Sequence, residues 1–76
     1  MMGLPYALFV AGNKNTLLTL WPVDDAATAE FMTRFFAKLK AGDKQAEALS
    51  LTKREFMNHP RWHQPRYWAA FVLYGV

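Results

Sequence analysis

The chain has 76 residues, of which 53% are hydrophobic and 16% aromatic, and nine basic against six acidic side chains give a formal net charge of +3. A chain this short forms one domain at most, residues 1–76, and buries only about 60% of the surface that its unfolded form exposes. Cysteine is absent, which excludes a disulfide, a thiolate zinc ligand and a thiol nucleophile. The apolar content excludes a disordered linker, and the scattered basic residues argue against a dedicated nucleic-acid surface.

The first third of the chain predicts a helix, a turn and a strand. Residues 4–11 place Pro5 in a first helical turn and precede Gly12, so we expect a short buried helix there. This apolar run is far below the roughly 20 residues of a membrane span, and no basic stretch precedes it. We therefore expect no membrane segment and a cytoplasmic location. Residues 12–15 have the composition of a turn. Residues 16–21 predict a strand that ends at Pro22, and the strand is apolar enough to be covered on both faces.

Two helices are predicted next. Asp24 and Asp25 stand where a helix begins, and at least one of them is expected to cap its free amides. Apolar residues then recur at helical spacing until Gly42: Met32, Phe35, Phe36 and Leu39. Asp43 is expected to cap the second helix, which Pro60 ends and whose apolar stripe comprises Ala46, Leu49, Phe56 and Met57.

The last third predicts a loop and a strand. Residues 58–67 contain two prolines and no regular pattern, and the aromatic run that follows is short enough for a buried strand. The predicted class is therefore α/β, in the order helix, strand, helix, helix, strand. Two helices between the strands reverse the chain twice, so the last strand should run antiparallel to the first. A two-stranded sheet is marginal alone and needs a partner for its edge.

Three stretches of this chain resemble the C-terminal half of a CHAT domain, a member of the caspase-like cysteine peptidases. They are LPYALFVAGNKNTLLTLWPVDD at residues 4–25, FMTRFFAKLKAGDKQAEAL at residues 31–49 and HQPRYWAAFVLYG at residues 63–75. The resemblance implies a partial caspase-like fold. It also implies that the catalytic histidine and cysteine belong to segments upstream of the part matched here, so that this chain holds no catalytic residue and is not an enzyme on its own.

The resemblance implies a place for the two adjacent acids as well. In caspase-like peptidases the loop after this strand helps to form the substrate groove, and the matching residues here are Trp21, Asp24 and Asp25. A carboxylate in a partly desolvated groove pairs well with an arginine side chain of a substrate. Capping of the helix explains the same acids without any substrate, and the two roles are compatible.

The resemblance further implies that the final strand lies at a sheet edge and pairs with the same strand of a second molecule. Such a contact has two-fold symmetry, the commonest symmetry of small homo-oligomers. The residues of this predicted dimer edge are Trp68, Ala70, Phe71, Val72, Leu73 and Tyr74.

Other residue groups support weaker alternatives. His59 and His63 without a cysteine or carboxylate close by supply too few metal ligands, so we expect no metal and no cofactor. Cations alternate with aromatic rings at Arg61, Trp62, Arg66, Tyr67 and Trp68, a composition that binds single-stranded nucleic acid by stacking and phosphate contact, although anchoring of the loop explains it more simply.

Three functions remain open from the sequence. The first is a non-catalytic fragment or remnant of a CHAT peptidase domain, folded by self-association. The second is a functional half that completes the substrate groove of a separate peptidase chain bearing the histidine and cysteine. The third is a small module that binds nucleic acid or protein. The first two share the expectation that another chain buries an apolar face of this one.

Overall fold

The computed structural model of the chain describes residues 7–10 and 15–75. The elements in chain order are β1 (Ala7–Val10), β2 (Asn15–Thr19), α1 (Asp25–Lys40), α2 (Gln45–Met57), a 3₁₀ turn (Pro65–Tyr67) and β3 (Phe71–Gly75). The sheet order is β1-β2-β3, and both pairings are antiparallel. This confirms a mixed α/β chain in which the strand after the helices runs opposite to the strand before them.

The first element is a strand, and the predicted helix at residues 4–11 is wrong where the structure describes it. Residues 7–10 form β1, which pairs with β2 from Ala7 opposite Thr19 to Val10 opposite Thr16. The rest of that predicted helix, and residues 12–14 of the predicted turn, lie outside the described residues. So short a run does not offset the cost of starting a helix, whereas antiparallel pairing satisfies its backbone groups at once. The sheet consequently has three strands instead of two.

Both predicted helices are present. The N–H of Gly42 donates to Leu39 O just after α1, and its φ of +106° is the conformation that glycine adopts without strain. The predicted cap of α2 is wrong, because Lys44 occupies the N-cap position and makes no side-chain cap bond. Asp43 instead donates its backbone N–H to Lys38 O within the connecting turn. Neither helix is long and apolar enough to cross a membrane, and they are the only α-helices in the described ranges.

The core lies between the two helices and one face of the sheet. Phe31 of α1 stacks on Phe71 of β3 with ring centroids 3.9 Å apart, and its edge meets Phe56 of α2 at 5.1 Å. The fully buried helical residues are Ala27, Phe31 and Phe35 in α1 and Ala48, Thr52 and Phe56 in α2. Of the predicted stripes, Phe35 and Phe56 are buried as expected, whereas Phe36 and Met57 are exposed.

The sheet has a covered face and an open face. Register pairs Leu17 with Leu73 and Thr19 with Phe71, and these four residues form the covered face, which contacts the helical layer. The alternate pairs, Thr16 with Tyr74 and Leu18 with Val72, form the open face. No described helix packs on that face, so the expectation that β2 is covered on both faces is not met within residues 15–75. The Cα atoms accordingly span only 15 Å in their shortest direction, the thickness of two layers.

Candidate functional site

The segment between β2 and α1 is fixed at both ends by hydrogen bonds. Leu20 N–H donates to Ala70 O at 3.0 Å, which extends the pairing of β2 with the residues before β3. At the other end, Oδ2 of Asp24 accepts from the N–H groups of Ala26 and Ala27 at 3.0 and 3.1 Å. Asp24 is therefore the N-cap of α1, which confirms the capping role predicted for one of the two acids.

The other two residues predicted to line the groove, Trp21 and Asp25, lie on either side of this cap in the sequence. Asp25 is exposed as the first residue of α1, where its charge faces the positive end of the helix dipole. Trp21 is 37% exposed, and its Nε1–H donates to Arg66 O at 3.2 Å. This bond ties the segment after β2 to the loop before β3, although the two lie 45 residues apart in the sequence.

A shallow depression of about 280 Å³ lies beside the cap and is lined by Pro22, Asp24, Arg66 and Tyr67. Arg66 donates from Nη2 to the Tyr67 hydroxyl at 2.9 Å, and its guanidinium lies 4.9 Å from the Tyr67 ring centroid. The structure thus brings Asp24 together with a cation and a phenol that the sequence did not assign to the groove. Asp25 and Trp21 do not line the depression. Nothing in the sequence pattern indicated the approach of Arg66, because tertiary folding alone brings this loop beside α1.

The aromatic residues of the loop anchor it to the core. Trp62 is only 6% exposed, packs against Phe56 at 6.2 Å and meets Tyr67 edge-on at 5.1 Å. Trp68 donates from Nε1 to His63 O at 3.0 Å. Because the Trp62 ring is used in packing, it offers little surface for a stacked base. The simpler explanation of this interleaved segment, anchoring of the loop, agrees with these contacts.

The two histidines of this loop make local contacts. Nδ1 of His59 accepts from Arg61 N–H at 3.0 Å, and Nδ1 of His63 lies 3.2 Å from Pro60 O. In the part of the chain that the structure describes, no group of three or more histidine, cysteine, aspartate or glutamate side chains is placed to hold a metal ion.

A larger depression, of about 450 Å³, lies over the two helices, and ion pairs occupy part of its wall. Glu55 accepts from Arg34 at 3.2 Å and from Lys38 at 3.0 Å, and Arg34 also binds Glu30 at 2.6 Å. Burial opposes the charge of Glu55, but the hydrogen bonds from Lys38 and Arg34 outweigh it and lower the pKa of its carboxyl. The hydrogen bond to Glu30 raises the pKa of Arg34. These charges pair with one another, and the two ion pairs of Glu55 link α2 to α1.

The residues of the predicted dimer edge fall into two groups. Trp68 and Ala70 precede β3, and Ala70 is fully buried. The other four belong to β3, where exposure increases along the strand from Phe71, fully buried, through Val72 and Leu73, half-buried, to Tyr74, 71% exposed. Within the described sheet, β3 pairs with β2 on one side only. β3 is therefore an edge strand of the sheet formed by the described residues.

The sequence model of the CHAT domain matches residues 1–76. The chain belongs to the CHAT domain family. It is 32% identical over 75 residues to human tetratricopeptide repeat protein 28, and 31% identical to the mouse protein of the same name. Each alignment covers 99% of this chain, which spans about 3% of the length of either relative. No solved structure matches the chain.

The lack of cysteine bears on the chemistry expected of a CHAT-family chain. The resemblance implies a cysteine thiolate as the family nucleophile, and no position of the 76 supplies one. In the described part of this CHAT-family chain, the candidate sites include the depression beside Asp24 and the open face and free edge of the sheet.

Proposed function

We propose that this CHAT-family chain is non-catalytic on its own, as a fragment or remnant of a peptidase domain, and that it acts through self-association at the edge of β3. The absence of a thiol nucleophile supports the first part. The observation that carries the second part is the position of β3, whose outer backbone groups have no strand beside them in the described sheet.

The hydrogen bond from Leu20 to Ala70 identifies which groups of β3 point outward. In an antiparallel ladder, hydrogen-bonded pairs alternate with non-bonded pairs. Leu20 with Ala70 is a bonded pair, so Val72 and Tyr74 direct their backbone groups to β2. The intervening residues, Phe71, Leu73 and Gly75, direct theirs to the free edge. Phe71 N–H is already bonded to Trp68 O at 3.3 Å, which leaves Leu73 at the centre of the available row.

This arrangement suits a two-fold contact centred on Leu73. Two copies of β3 running antiparallel would exchange both Leu73 N–H···O bonds, and Gly75 N–H of each copy would reach Phe71 O of the other. The strand FVLYG contains no charge, no proline and no lysine, the residues by which proteins usually protect an edge from pairing. From Phe71 O to Gly75, the edge therefore offers its outward backbone groups to a partner strand.

Amide hydrogen exchange, measured residue by residue at rising protein concentration, tests this contact. We expect Leu73 N–H to exchange quickly in dilute solution and slowly at high concentration, with light scattering showing the matching rise in mass. Val72 and Tyr74 are internal controls, because β2 should protect their amides at every concentration. A Leu73 amide that exchanges at the same rate in concentrated and dilute samples would contradict the proposal.

A proline substitution tests the same contact independently. Leu73→Pro removes the outward N–H without removing a bond to β2, so a folded variant should stay monomeric at concentrations where the original chain associates. Circular dichroism identifies whether the variant is folded. If the variant is unfolded, the amide-exchange measurement on the unaltered chain decides whether the edge of β3 forms the contact.

The depression beside Asp24 supports a second candidate, a half that completes the groove of a separate histidine- and cysteine-bearing chain. Asp24 and Arg66 put opposite charges on its lining, so peptide side chains of either sign find a complement there. The test is to mix the chain with that complementary half and measure cleavage of basic and acidic substrates. Asp24→Ala should weaken any preference for basic substrates, and Asp25→Ala should weaken it less because Asp25 lies outside the depression. An unchanged preference in both variants would eliminate the acids from the groove.

A further inference from the structure

The larger depression, over α1 and α2, has a cation on its wall that the ion pairs do not use. Arg54 is exposed on α2 and lines this depression. The neighbouring ion-pair network is neutral because it contains two acids and two bases: Glu30, Glu55, Arg34 and Lys38. Within residues 7–10 and 15–75, no acidic side chain binds the Arg54 guanidinium. Arg54 therefore leaves one positive charge of the wall unpaired.

The polar groups around Arg54 are mainly hydrogen-bond donors. Nδ1 of His59 accepts from Arg61 N–H at 3.0 Å, so the neutral ring carries its hydrogen on Nε2. The amide of Asn58 donates to Arg54 O at 2.9 Å and has a second N–H to offer. Oε1 of Glu55, the carboxylate of this wall, already accepts two hydrogen bonds. A ligand that complements this wall therefore brings acceptors and a negative charge.

An apolar surface lies beside the unpaired cation. Leu51 is 40% exposed and precedes Arg54 by three residues, so both side chains lie on the same side of α2. Pro60 is exposed and lines the depression as well. A peptide that carries a large apolar side chain next to a carboxylate matches both features. A nucleic acid matches them less well, because phosphate binding uses several cations and Glu55 would repel a phosphate.

The wall of the depression is held in place before any ligand arrives. The ion pairs of Glu55 link the two helices, and His59 N–H donates to Phe56 O at 3.0 Å just after α2. Behind this turn, Trp62 packs on Phe56 with ring centroids 6.2 Å apart. The volume of about 450 Å³ lies within the usual range of ligand sites, about 300–1,000 Å³. A preformed wall lowers the entropy cost of binding.

We propose that the larger depression binds an acidic peptide segment of a partner protein. The carboxylate of the segment pairs with the Arg54 guanidinium, and a neighbouring apolar side chain packs against Leu51 and Pro60. The surface belongs to the helical layer and the turn after it, so it does not depend on the proposed contact at β3.

Fluorescence anisotropy with a labelled peptide in which leucine alternates with glutamate tests the charge. Arg54→Gln should weaken binding about fivefold, the effect of one partly exposed ion pair. Lys40→Gln is the matched control, because it removes the same charge at an exposed position of α1 outside the depression, and it should leave binding nearly unchanged.

A second pair of variants tests the apolar contact. Leu51→Gln should weaken binding of the same peptide by a similar factor, because the leucine side chain of the peptide loses its apolar partner. Met57→Gln makes the same kind of change at an exposed apolar residue of α2 outside the depression, and it should have little effect. Circular dichroism checks that all four variants are folded.

Exchanging the charges separates a contact with the peptide from a structural role of Arg54. Arg54→Glu should bind a peptide with lysine in place of glutamate better than it binds the acidic peptide, the reverse of the unaltered chain. Equal weakening toward both peptides would overturn the proposed contact. The proposal is also overturned if the unaltered chain does not bind the acidic peptide, binds its glutamine version equally well, or binds a single-stranded oligonucleotide more tightly. Each of these results leaves the contact at β3 standing.

Discussion

The two faces of one small sheet have opposite surroundings. On the covered face, Leu17 and Phe71 are completely buried and a ring of α1 stacks directly on Phe71. On the open face, residues one position away along the same strands remain half-buried or exposed. The difference shows that the described helices cover only one side of the sheet. The middle of β2 and of β3 nonetheless places apolar residues on both sides, Leu17 and Leu73 on the covered face and Leu18 and Val72 on the open face, as in a sheet that is covered twice.

The largest expected effect tests whether the covered face carries the core. Phe31→Ala removes a fully buried ring that contacts both Phe71 and Phe56, and it should lower the free energy of unfolding by roughly 3–5 kcal/mol. Phe36→Ala is the control, because this ring is 38% exposed on the same helix and should cost much less. Urea denaturation followed by tryptophan fluorescence measures both values. Equal losses would mean that the core is not where the structure places it.

A smaller effect, of opposite sign, is expected at Thr19. Its Oγ1 atom is buried on the covered face, and the structure shows no hydrogen-bond partner for it. Thr19→Val keeps the shape and removes the unsatisfied hydroxyl, so the chain should gain on the order of 1 kcal/mol of stability.

Thr16→Val makes the same chemical change on the open face, where the hydroxyl is nearer to water, and should change stability little. The two variants are compared by thermal unfolding at low protein concentration, where association contributes least. A loss of stability in Thr19→Val would show that the hydroxyl has a partner after all, such as a buried water.

The two acids at the start of α1 test the boundary between the sheet and the helical layer. Asp24→Ala removes the cap acceptor of two amides and should destabilise the chain by about 1 kcal/mol. Asp25→Ala removes only a charge near the positive end of the helix dipole. In a buffer containing salt, it should lower the free energy of unfolding by only a few tenths of the loss expected for Asp24→Ala. Chemical denaturation of both variants measures the difference. An equal loss would argue that Asp24 also acts through its charge alone.

The smallest effect concerns the ion pairs that clamp the helices. The pKa of Glu55 is lower in the folded chain than its ordinary value of 4.5, so its contribution to stability is present above that value. The contribution is lost as the pH falls through the folded pKa, below 4.5. Glu55→Gln should therefore flatten the acid limb of the stability curve, by less than about 1 kcal/mol because the pair is partly exposed.

Glu47→Gln, at an exposed carboxylate of the same helix, is the control for this titration. Melting temperatures recorded between pH 3 and 7 provide the curves. A Glu55→Gln variant whose curve parallels that of the unaltered chain throughout this interval would show that the clamp contributes nothing.

The helices and the direction of β3 were predictable because local signals determine them. Asp24 and Gly42 mark the two ends of α1, and two helices between strands impose an antiparallel return. β1 was not predictable in the same way, since four apolar residues fit a strand or a helix and only pairing with β2 decides. The cap of α2 was predicted at the wrong residue. Asp43 belongs to the turn after α1, where its backbone N–H bonds to Lys38 O, and the helix begins one residue later than Asp43 would allow as a cap.

The candidate sites were predictable only in part. Capping by Asp24 followed from its position before an apolar helix. The approach of Arg66 to Asp24 depends on the Trp21 bond and on the packing of Trp62, which no spacing in the sequence encodes. The free edge of β3 followed from the family resemblance, whereas the alternation of its outward groups required the bond between Leu20 and Ala70.

The pairing of β2 with β3 joins positions near opposite ends of the chain, Asn15 with Gly75. Such remote pairing must await closure of a long loop, whereas α1 and α2 meet through a short turn. The helical hairpin is accordingly expected to assemble first, leaving β3 unpaired for a time while β2 can already pair with β1. During that interval β3 of a neighbouring chain can pair with β2 in place of the chain's own β3. Refolding at low protein concentration should therefore give the higher yield of correctly folded chain.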